Sequence, residues 1–534
     1  MLLLAGLGPY EMGGQSLDGT LFARGANGGL QESYRRLLGH PLDLGRLWYG
    51  GPPRNVGDEP PGQDTTGRPL LRPYRGSVPH LSLQTVRAIV ETTDVELEVF
   101  DLQDLWLDSE PRGTDFDVVG LSTTFICDAY TLQRTVQWIA KRFPAATVVL
   151  GGQYSNLKYA QILSAYPAVD YVVRGDGELA FPKLLRALAD GREIDGIPNL
   201  AARNGRGLPV ATPIEYVDFD ALPSPVFQGA HDVVPYESMR GCPFSCKFCS
   251  FPAASPVWRH KSAERICRDW RAYAETNGAT LISAMDSTFT VPRTRFRDLL
   301  AVLPDIGIPW EAYSRANCID TPALVEGLEA AHCRGLRIGF ESMNDFVLKA
   351  MDKKVTAAEN ERALELLADS QVDLKASFMV GYPGETPLAY EDTHRFLVDR
   401  FRGKFIMSVF TLTDETMPVL EDLPRFQLEY SHPLAWKHVG MDSQTAGALR
   451  EKTMVDVRWN NDDAVLNLWQ MAYSRPLVPE FDVQQNQRVE KLVERLAFVP
   501  KDLGDGVAAG ERCRQALTEL RALGIESLDA PPPS

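Results

Sequence analysis

The sequence predicts an α/β protein in three parts: a doubly wound parallel sheet in front, an incomplete β/α barrel behind it, and a mainly helical end. Three observations predict this. Strand-like and helix-like patterns alternate through the first two hundred residues, a second cycle of short strands separated by helical patterns starts at Tyr236, and amphipathic helices take over beyond Glu421. At 534 residues the chain exceeds what one hydrophobic core usually organises.

In chain order, the apolar run Leu2–Leu7 reads as a strand, Ser82–Val90 as a helix, and Val95, Leu97 and Val99 alternate with Glu96 and Glu98 as a second strand. Asp117–Ser122, Thr147–Leu150 and Tyr171–Val173 continue the sheet, with a helix over Leu132–Arg142. Such repetition places a ligand beyond the carboxyl ends of the strands. The Gly/Pro-rich stretch of about 9–79 reads as an insert that caps the ligand face or hangs loose, and 201–228 as a linker. The first domain is expected at 1–200, the barrel at 229–420 and a helical domain, a possible substrate cap, at 421–534. In the barrel, Tyr236–Met239, Leu281–Met285, Trp310–Ser314, Leu336–Phe340, Leu374–Val380 and Phe405–Phe410 are six strand candidates, and chemistry belongs at their carboxyl ends. Trp436, Trp459 and Trp469 mark the last part, which ends in the tail Pro531–Ser534.

Composition narrows the function. Hydrophobic residues are 44% and charged residues 24%, ordinary for a globular protein, and the formal net charge of -16 argues against broad contact with nucleic acid or an anionic membrane. The leading apolar run is short for a signal peptide and lacks a basic flank, and no other run spans a bilayer, so a cytoplasmic location is expected.

Three of the eight cysteines crowd into Cys242-Pro243-Phe244-Ser245-Cys246-Lys247-Phe248-Cys249. A structural zinc site closes with four ligands, whereas three thiolates on a cubane leave one iron open for a substrate or cofactor. A zinc site completed by His260 is the alternative that the residues alone allow. Cys127, Cys267, Cys318, Cys333 and Cys513 are scattered and read as small buried hydrophobes.

This triad, on a loop after the first barrel strand, resembles the signature of the radical S-adenosylmethionine (SAM) superfamily. The resemblance implies a partial (β/α)6 barrel of the TIM type, a [4Fe-4S] cluster on Cys242, Cys246 and Cys249, and SAM on its open iron. It implies SAM contacts from Phe248, Asp286, Arg315, Glu341 and the turn Gly381-Tyr382-Pro383, with Arg315 suited to the SAM carboxylate by its planar fork. Tyr313 is a candidate proton or radical partner at a strand end, set against a role in packing the barrel mouth. Glu264 and His260 are candidates to face the cluster, although Lys261–Glu264 also reads as a helix start capped by Ser262.

The leading domain resembles the Rossmann-like cobalamin-binding domain that precedes many radical SAM cores. The resemblance implies cobalamin contacts from Ser122, Thr123, Thr124, Phe125, Gly151, Gly152, Gln153, Gly175 and Glu178, where glycines admit a large cofactor and hydroxyls bond its amides. A dinucleotide site is disfavoured because only Gly6-Leu7-Gly8-Pro9 follows the first strand. The DxHxxG element of classical cobalamin proteins is absent; the corresponding loop is expected at Phe125–Tyr130, and several radical SAM relatives likewise lack a protein histidine below cobalt.

Together the resemblances, which cover about four-fifths of the chain, imply a cobalamin-dependent radical SAM methyltransferase, similar to the tryptophan C-methyltransferase and phosphinate P-methyltransferase types. The methyl would pass from SAM through methylcobalamin to an unactivated carbon or phosphorus of a small natural-product precursor or amino acid. An external flavodoxin- or ferredoxin-type donor would supply electrons. A non-methylating cyclisation or ring rearrangement shares every motif, and a non-catalytic cobalamin or iron-sulfur protein is a further alternative.

Overall fold

The computed structural model describes residues 1–6, 29–40, 42, 80–107, 109–126, 128–192, 194, 196–225, 227–467, 476, 478 and 480–525. Leu7, Gly8, Pro9, most of the expected insert, Cys127, Trp469 and Pro531–Ser534 lie outside the described residues. By its contacts the described chain forms two compact units, one within 1–16, 74–243 and 250–287, the other within 17–73, 244–249 and 288–534.

The first unit is built on β1 (Leu2–Ala5), β2 (Glu98–Asp101), β3 (Val118–Ser122), β4 (Thr147–Gly151), β5 (Tyr171–Val173), β6 (Leu200–Arg203) and β7 (Pro209–Ala211), in the order β2-β1-β3-β4-β5-β6-β7. The pairs through β5 are parallel, with Leu2 opposite both Glu98 and Val119. Because β2 and β3 lie on opposite sides of β1, the connections diverge there, and the switch point falls between β1 and β3. Leu2, Leu4, Val119, Leu121 and Leu150 pack with Leu132, Val136 and Ile139 of helix Ala129–Arg142 and Ile162 of helix Gln153–Ala165. Leu3, Ala5, Val118 and Val149 point to the other face, against helices Leu81–Val90 and Gly177–Asp190. Alternate residues of each strand are thus buried on both faces, as a doubly wound sheet requires. The expected linker is different: β6 and β7 fall inside it and extend the sheet antiparallel, because Leu200 and Ala201 have an apolar face to bury.

The same unit contains β8 (Val233–Tyr236), β9 (Met239–Arg240), β10 (Arg259–His260) and β11 (Leu281–Ala284). β8 and β11 pair in parallel, and β9 and β10 form a two-stranded antiparallel ribbon. The first barrel strand therefore ends three residues before its expected limit, Met239, which belongs to the ribbon instead.

In the second unit β12 (Trp310–Ser314), β13 (Cys333–Glu341), β14 (Asp373–Val380) and β15 (Gly403–Val409) are parallel neighbours. The part expected to be helical adds β16 (Glu429–His432) and β17 (Ala435–Lys437) as an antiparallel pair, and β18 (Ala464–Leu466), which extends the sheet beside β15. Its buried triplet Ala-Val-Leu is too short to show a period in the sequence. Helix Gly29–Leu38, from the expected insert, places Tyr34 on the C-terminal helices: its hydroxyl donates to Leu496 O at 2.7 Å, and Arg36 pairs with Asp505 at 2.7 Å. Among the described residues no helix is long and apolar enough to cross a membrane.

Candidate functional site

The carboxyl rim of the leading sheet gathers the predicted cobalamin residues, with different occupations. Thr123 is fully buried; its hydroxyl donates to Gly151 O at 2.8 Å and accepts from Ser155 N at 3.0 Å, so it braces the rim from below. Ser122 and Thr124 carry the accessible hydroxyls, 3.1 Å apart, and Ser122 also bonds Ser82 at 3.1 Å. A Cβ on Gly151 would meet open space, whereas Gly152 has φ +102° and its Cβ would press on Thr123 and Thr124 N at 3.1 and 3.0 Å. This open, glycine-floored rim with outward hydroxyls fits a large amide-bearing macrocycle. Gln153 starts the next helix and is exposed, and the Phe125 ring meets His80 edge-on at 5.1 Å. Phe125–Tyr130 connects β3 to helix Ala129–Arg142, where Asp128 caps the helix by accepting from Thr131 N.

Gly175 takes φ +59°, and Glu178 does not face the rim as a free acceptor: its carboxylate grips the Arg240 guanidinium, 2.9 Å from Nη1. Arg240 also pairs with Asp176 and Glu237, each at 3.0 Å, and Arg259, its antiparallel partner, pairs with the same Asp176. Burial works to raise the Asp176 pKa, but the two guanidiniums outweigh it and hold the carboxyl below its ordinary value. Arg240 leads directly to Gly241, with φ +77°, where a Cβ would lie 2.7 Å from Val257 O, and then to Cys242. Ser287 Oγ donates to Gly241 O at 2.9 Å. Asp286 is buried at the end of β11 and accepts from Ser238 N at 2.7 Å, Met239 N at 3.0 Å and the Ser238 hydroxyl, so it fixes the backbone entering the cysteine loop. Glu264 is exposed in the first turn of helix Ala263–Asn277, capped by Ser262, and His260 Nδ1 lies 3.3 Å from Lys261 O. The resemblance offered neither Arg240 nor Arg259; the adjacency of Arg240 to the thiols was the available signal.

In the second unit Cys246 is buried and Cys249 half-buried, with Cys249 N donating to Cys246 O at 3.1 Å. Lys247 pins this turn through its backbone, donating to Met351 O and accepting from Val419 N, and through its ammonium on Asp422. Arg315, at the end of β12, is buried; its guanidinium lies over the Phe244 ring at 3.8 Å, stands 3.6 Å from Cys246 Sγ and donates to Lys353 O. Lys353 pairs with Glu341 at 3.0 Å and lies over the Phe248 ring at 5.5 Å. Glu341 takes φ +62°, and its carboxylate and the Lys353 ammonium fold back over Gly339, into the space that a Cβ there would take. Tyr313 is half-buried under Arg337, which reaches its hydroxyl at 3.4 Å and pairs with buried Glu311 at 2.9 Å.

Gly381, with φ +89°, lets Trp436 close over the turn, since a Cβ there would lie 2.4 Å from the indole. Tyr382 and Pro383 are buried, and the Tyr382 hydroxyl donates to Ala350 O at 3.3 Å. Trp436 donates to Phe410 O at 2.8 Å and stacks on His438 at 5.2 Å. Glu385 accepts from Gly381 N at 2.6 Å through one oxygen and has no partner on the other; burial pushes its pKa up to about 8. Lys353 and His438 belong to no quoted motif, and sequence reasoning passed over them; Trp436 was noted only as a mark of the C-terminal part.

None of the seven described cysteines is oxidised to a disulfide; Cys267, Cys318, Cys333 and Cys513 are buried. Among the described residues no three His, Cys, Asp or Glu side chains stand together as ligands for one metal ion. A cubane places an iron beside each thiolate and spreads its sulfurs wider than one ion does, and Arg315 and Lys353 supply positive charge beside the thiol-bearing turn. The donor set fits such a cluster.

Residues 236–397 match the family model of the Radical SAM superfamily, and residues 67–185 that of the B12 binding domain. An uncharacterized methyltransferase of Pyrococcus horikoshii is 31% identical over 53% of this chain and 64% of its own length. The anaerobic magnesium-protoporphyrin IX monomethyl ester cyclase of Rubrivivax gelatinosus is 26% identical over 53% of this chain and 54% of its own, so the chain spans between half and two thirds of the length of these curated relatives. Among solved structures, the radical SAM methyltransferase TsrM of Kitasatospora setae, with cobalamin and a [4Fe-4S] cluster bound, shares the fold with a TM-score of 0.58 and 15% identity, over 83% of this chain and 96% of that one. The chain thus carries a region matching the B12 binding domain ahead of a region matching the Radical SAM superfamily, the second containing the three clustered cysteines.

Proposed function

We propose that the chain is a cobalamin-dependent radical SAM methyltransferase, acting on an unactivated carbon or a phosphorus of a small natural-product precursor or amino acid. The observation that carries this reading is the succession in one chain of a B12-binding domain and a radical SAM domain whose first loop bears three cysteines outside any disulfide. When bound, the cluster and SAM supply a 5'-deoxyadenosyl radical, and cobalamin supplies a transferable methyl group.

In this reading Cys242, Cys246 and Cys249 hold the cluster. Arg315 and Lys353 receive the SAM carboxylate, and Arg315 also stabilises the Cys246 thiolate from 3.6 Å. Phe248, Glu341 and the turn Gly381-Tyr382-Pro383 bound the rest of SAM, while Asp286 holds the loop entry beside it. Ser122, Thr124, Phe125, Gly151, Gly152, Gln153 and Gly175 face cobalamin, over the brace formed by Thr123. Tyr313 is the candidate proton partner of the substrate, and Glu178 serves to anchor Arg240.

The division into a cobalamin domain at 1–200, a core at 229–420 and a C-terminal cap at 421–534 belongs to the same proposal, as do an external flavodoxin- or ferredoxin-type donor and a cytoplasmic location. Similarity to the ester cyclase favours cyclisation as the second reading. Anaerobic incubation of the cluster-loaded protein with SAM, methylcobalamin, reductant and candidate substrates decides between them by product mass. A methyltransferase yields S-adenosylhomocysteine and a product heavier by one methylene; a cyclase yields no added carbon. Absence of both S-adenosylhomocysteine and 5'-deoxyadenosine with every substrate offered would overturn the enzymatic reading.

A further inference from the structure

The leading sheet bears one histidine that no cobalamin motif predicts. His80 immediately precedes helix Leu81–Val90, and its Nε2 lies 2.9 Å from Asp101 Oδ2 at the carboxyl end of β2. Two residues on, Ser82 bonds Ser122 at the end of β3, and the His80 ring meets Phe125 of the following loop edge-on at 5.1 Å. His80 is thus tied to the ends of both strands that flank β1, beside the switch point where open α/β sheets bind their ligands.

Of the three histidines in this unit, His231 Nε2 lies 2.8 Å from Gln228 O and His260 sits in the β9–β10 ribbon, whereas His80 pairs with a carboxylate at the carboxyl end of the leading sheet. That pairing selects the tautomer. With the proton on Nε2 and shared with Asp101, the lone pair is on Nδ1, the basic atom of a neutral imidazole. Metal-bound histidines are held in this way, the second ring nitrogen donating to a carboxylate that fixes the ring and raises its basicity. Partly exposed ion pairs of this kind contribute only about 0–1 kcal/mol to stability, so folding alone makes little demand for one here.

We infer that His80, held by Asp101, is the protein's axial nitrogen ligand to the cobalt of bound cobalamin, supplied from the start of a helix in place of the absent DxHxxG histidine. This rests on the cobalamin reading above, and the experiment separates the two. The full chain, labelled with 15N-histidine, is loaded anaerobically with cob(II)alamin, freed of unbound corrinoid by gel filtration and examined by electron paramagnetic resonance. Coordination by a labelled histidine splits each high-field cobalt line into two; the unlabelled benzimidazole of the cofactor would split it into three.

The expected result is the two-line pattern in the native sequence and its loss in H80Q. A three-line pattern, unsplit lines, or a two-line pattern that survives in H80Q would overturn the inference while leaving cobalamin binding intact. Protein that emerges without cobalamin would overturn both. Should H80Q fail to retain the cofactor, unlabelled H80G supplied with 15N-imidazole decides: two lines assign the ligand to position 80, and three lines, from another histidine or from the benzimidazole, refute the proposal.

Discussion

The rim of the leading sheet and the surroundings of Cys246 are built from opposite materials. At the rim, hydroxyls of Ser82, Ser122 and Thr124 and the bare backbone of Gly151 stand beside charged groups that are paired, as in the His80–Asp101 pair and the knot on Asp176. Around Cys246 the chain buries Arg315, Lys353 and Glu341 and presses aromatic rings against the cations. A corrin macrocycle is recognised by many weak contacts to its amides, and neutral donors and acceptors suffice. A thiolate-held cluster with an amino-acid cofactor concentrates negative charge, and buried cations answer it at the cost of desolvation. The difference teaches that the two cofactors are selected by different physics within one polypeptide.

The comparison can be broken most completely at the thiols. Cys246→Ala is expected to lower iron from about four per chain to near zero and to abolish SAM cleavage, while cobalamin still binds; iron assay and cobalamin absorbance measure both. Loss of cobalamin together with iron would show that the two regions are not independent.

Next in size is a pH effect at Glu385. Its folded-state pKa, raised from 4.5 to about 8, exceeds its unfolded value, so folding takes up a proton between them. The stabilisation from the protonated form is complete below the unfolded pKa and is lost as pH rises through about 8. Glu385→Gln is therefore expected to flatten the fall in stability between about pH 5 and pH 9, by on the order of 4 kcal/mol at most, in denaturant midpoints.

Arg315→Lys keeps the charge and removes the planar fork. We expect SAM to bind about 10- to 100-fold more weakly, with iron content unchanged, as read by equilibrium dialysis. Thr123→Val leaves Ser155 N without its acceptor inside the rim, while Gly151 O keeps the Thr123 backbone N–H; a loss of roughly 1–3 kcal/mol in stability is expected from thermal unfolding. Smallest should be Ser122→Ala, where water can replace the partly exposed hydroxyl: a loss of under about 1 kcal/mol in cobalamin affinity. An Arg315→Lys effect smaller than that of Ser122→Ala would reverse the contrast drawn between the two regions.

Much of this was legible in the sequence because it is local. Runs such as Val118–Ser122 and Trp310–Ser314 are buried strands bounded by turn residues, and three thiols in eight residues need no tertiary information. The misses are of another kind. β6 and β7 read as linker because Gly and Pro surround them, and β18 is a triplet beside a strand some sixty residues earlier. Glu178 was assigned to cobalamin by its place in a loop, yet its partner Arg240 lies 62 residues away; Lys353 meets Glu341 at the irregular end of β13, where the register shifts after Gly339. Charge pairing over such separations has no sequence signature, and it decides which predicted residues remain free to meet a cofactor. Asp101 and His80, 21 residues apart, are a third case.

The knot on Asp176 has a mechanical consequence. Arg240, two residues ahead of Cys242, and Arg259 are both lashed to a carboxylate that follows β5. While those tethers last, the polypeptide entering the first thiol moves as one piece with the leading sheet.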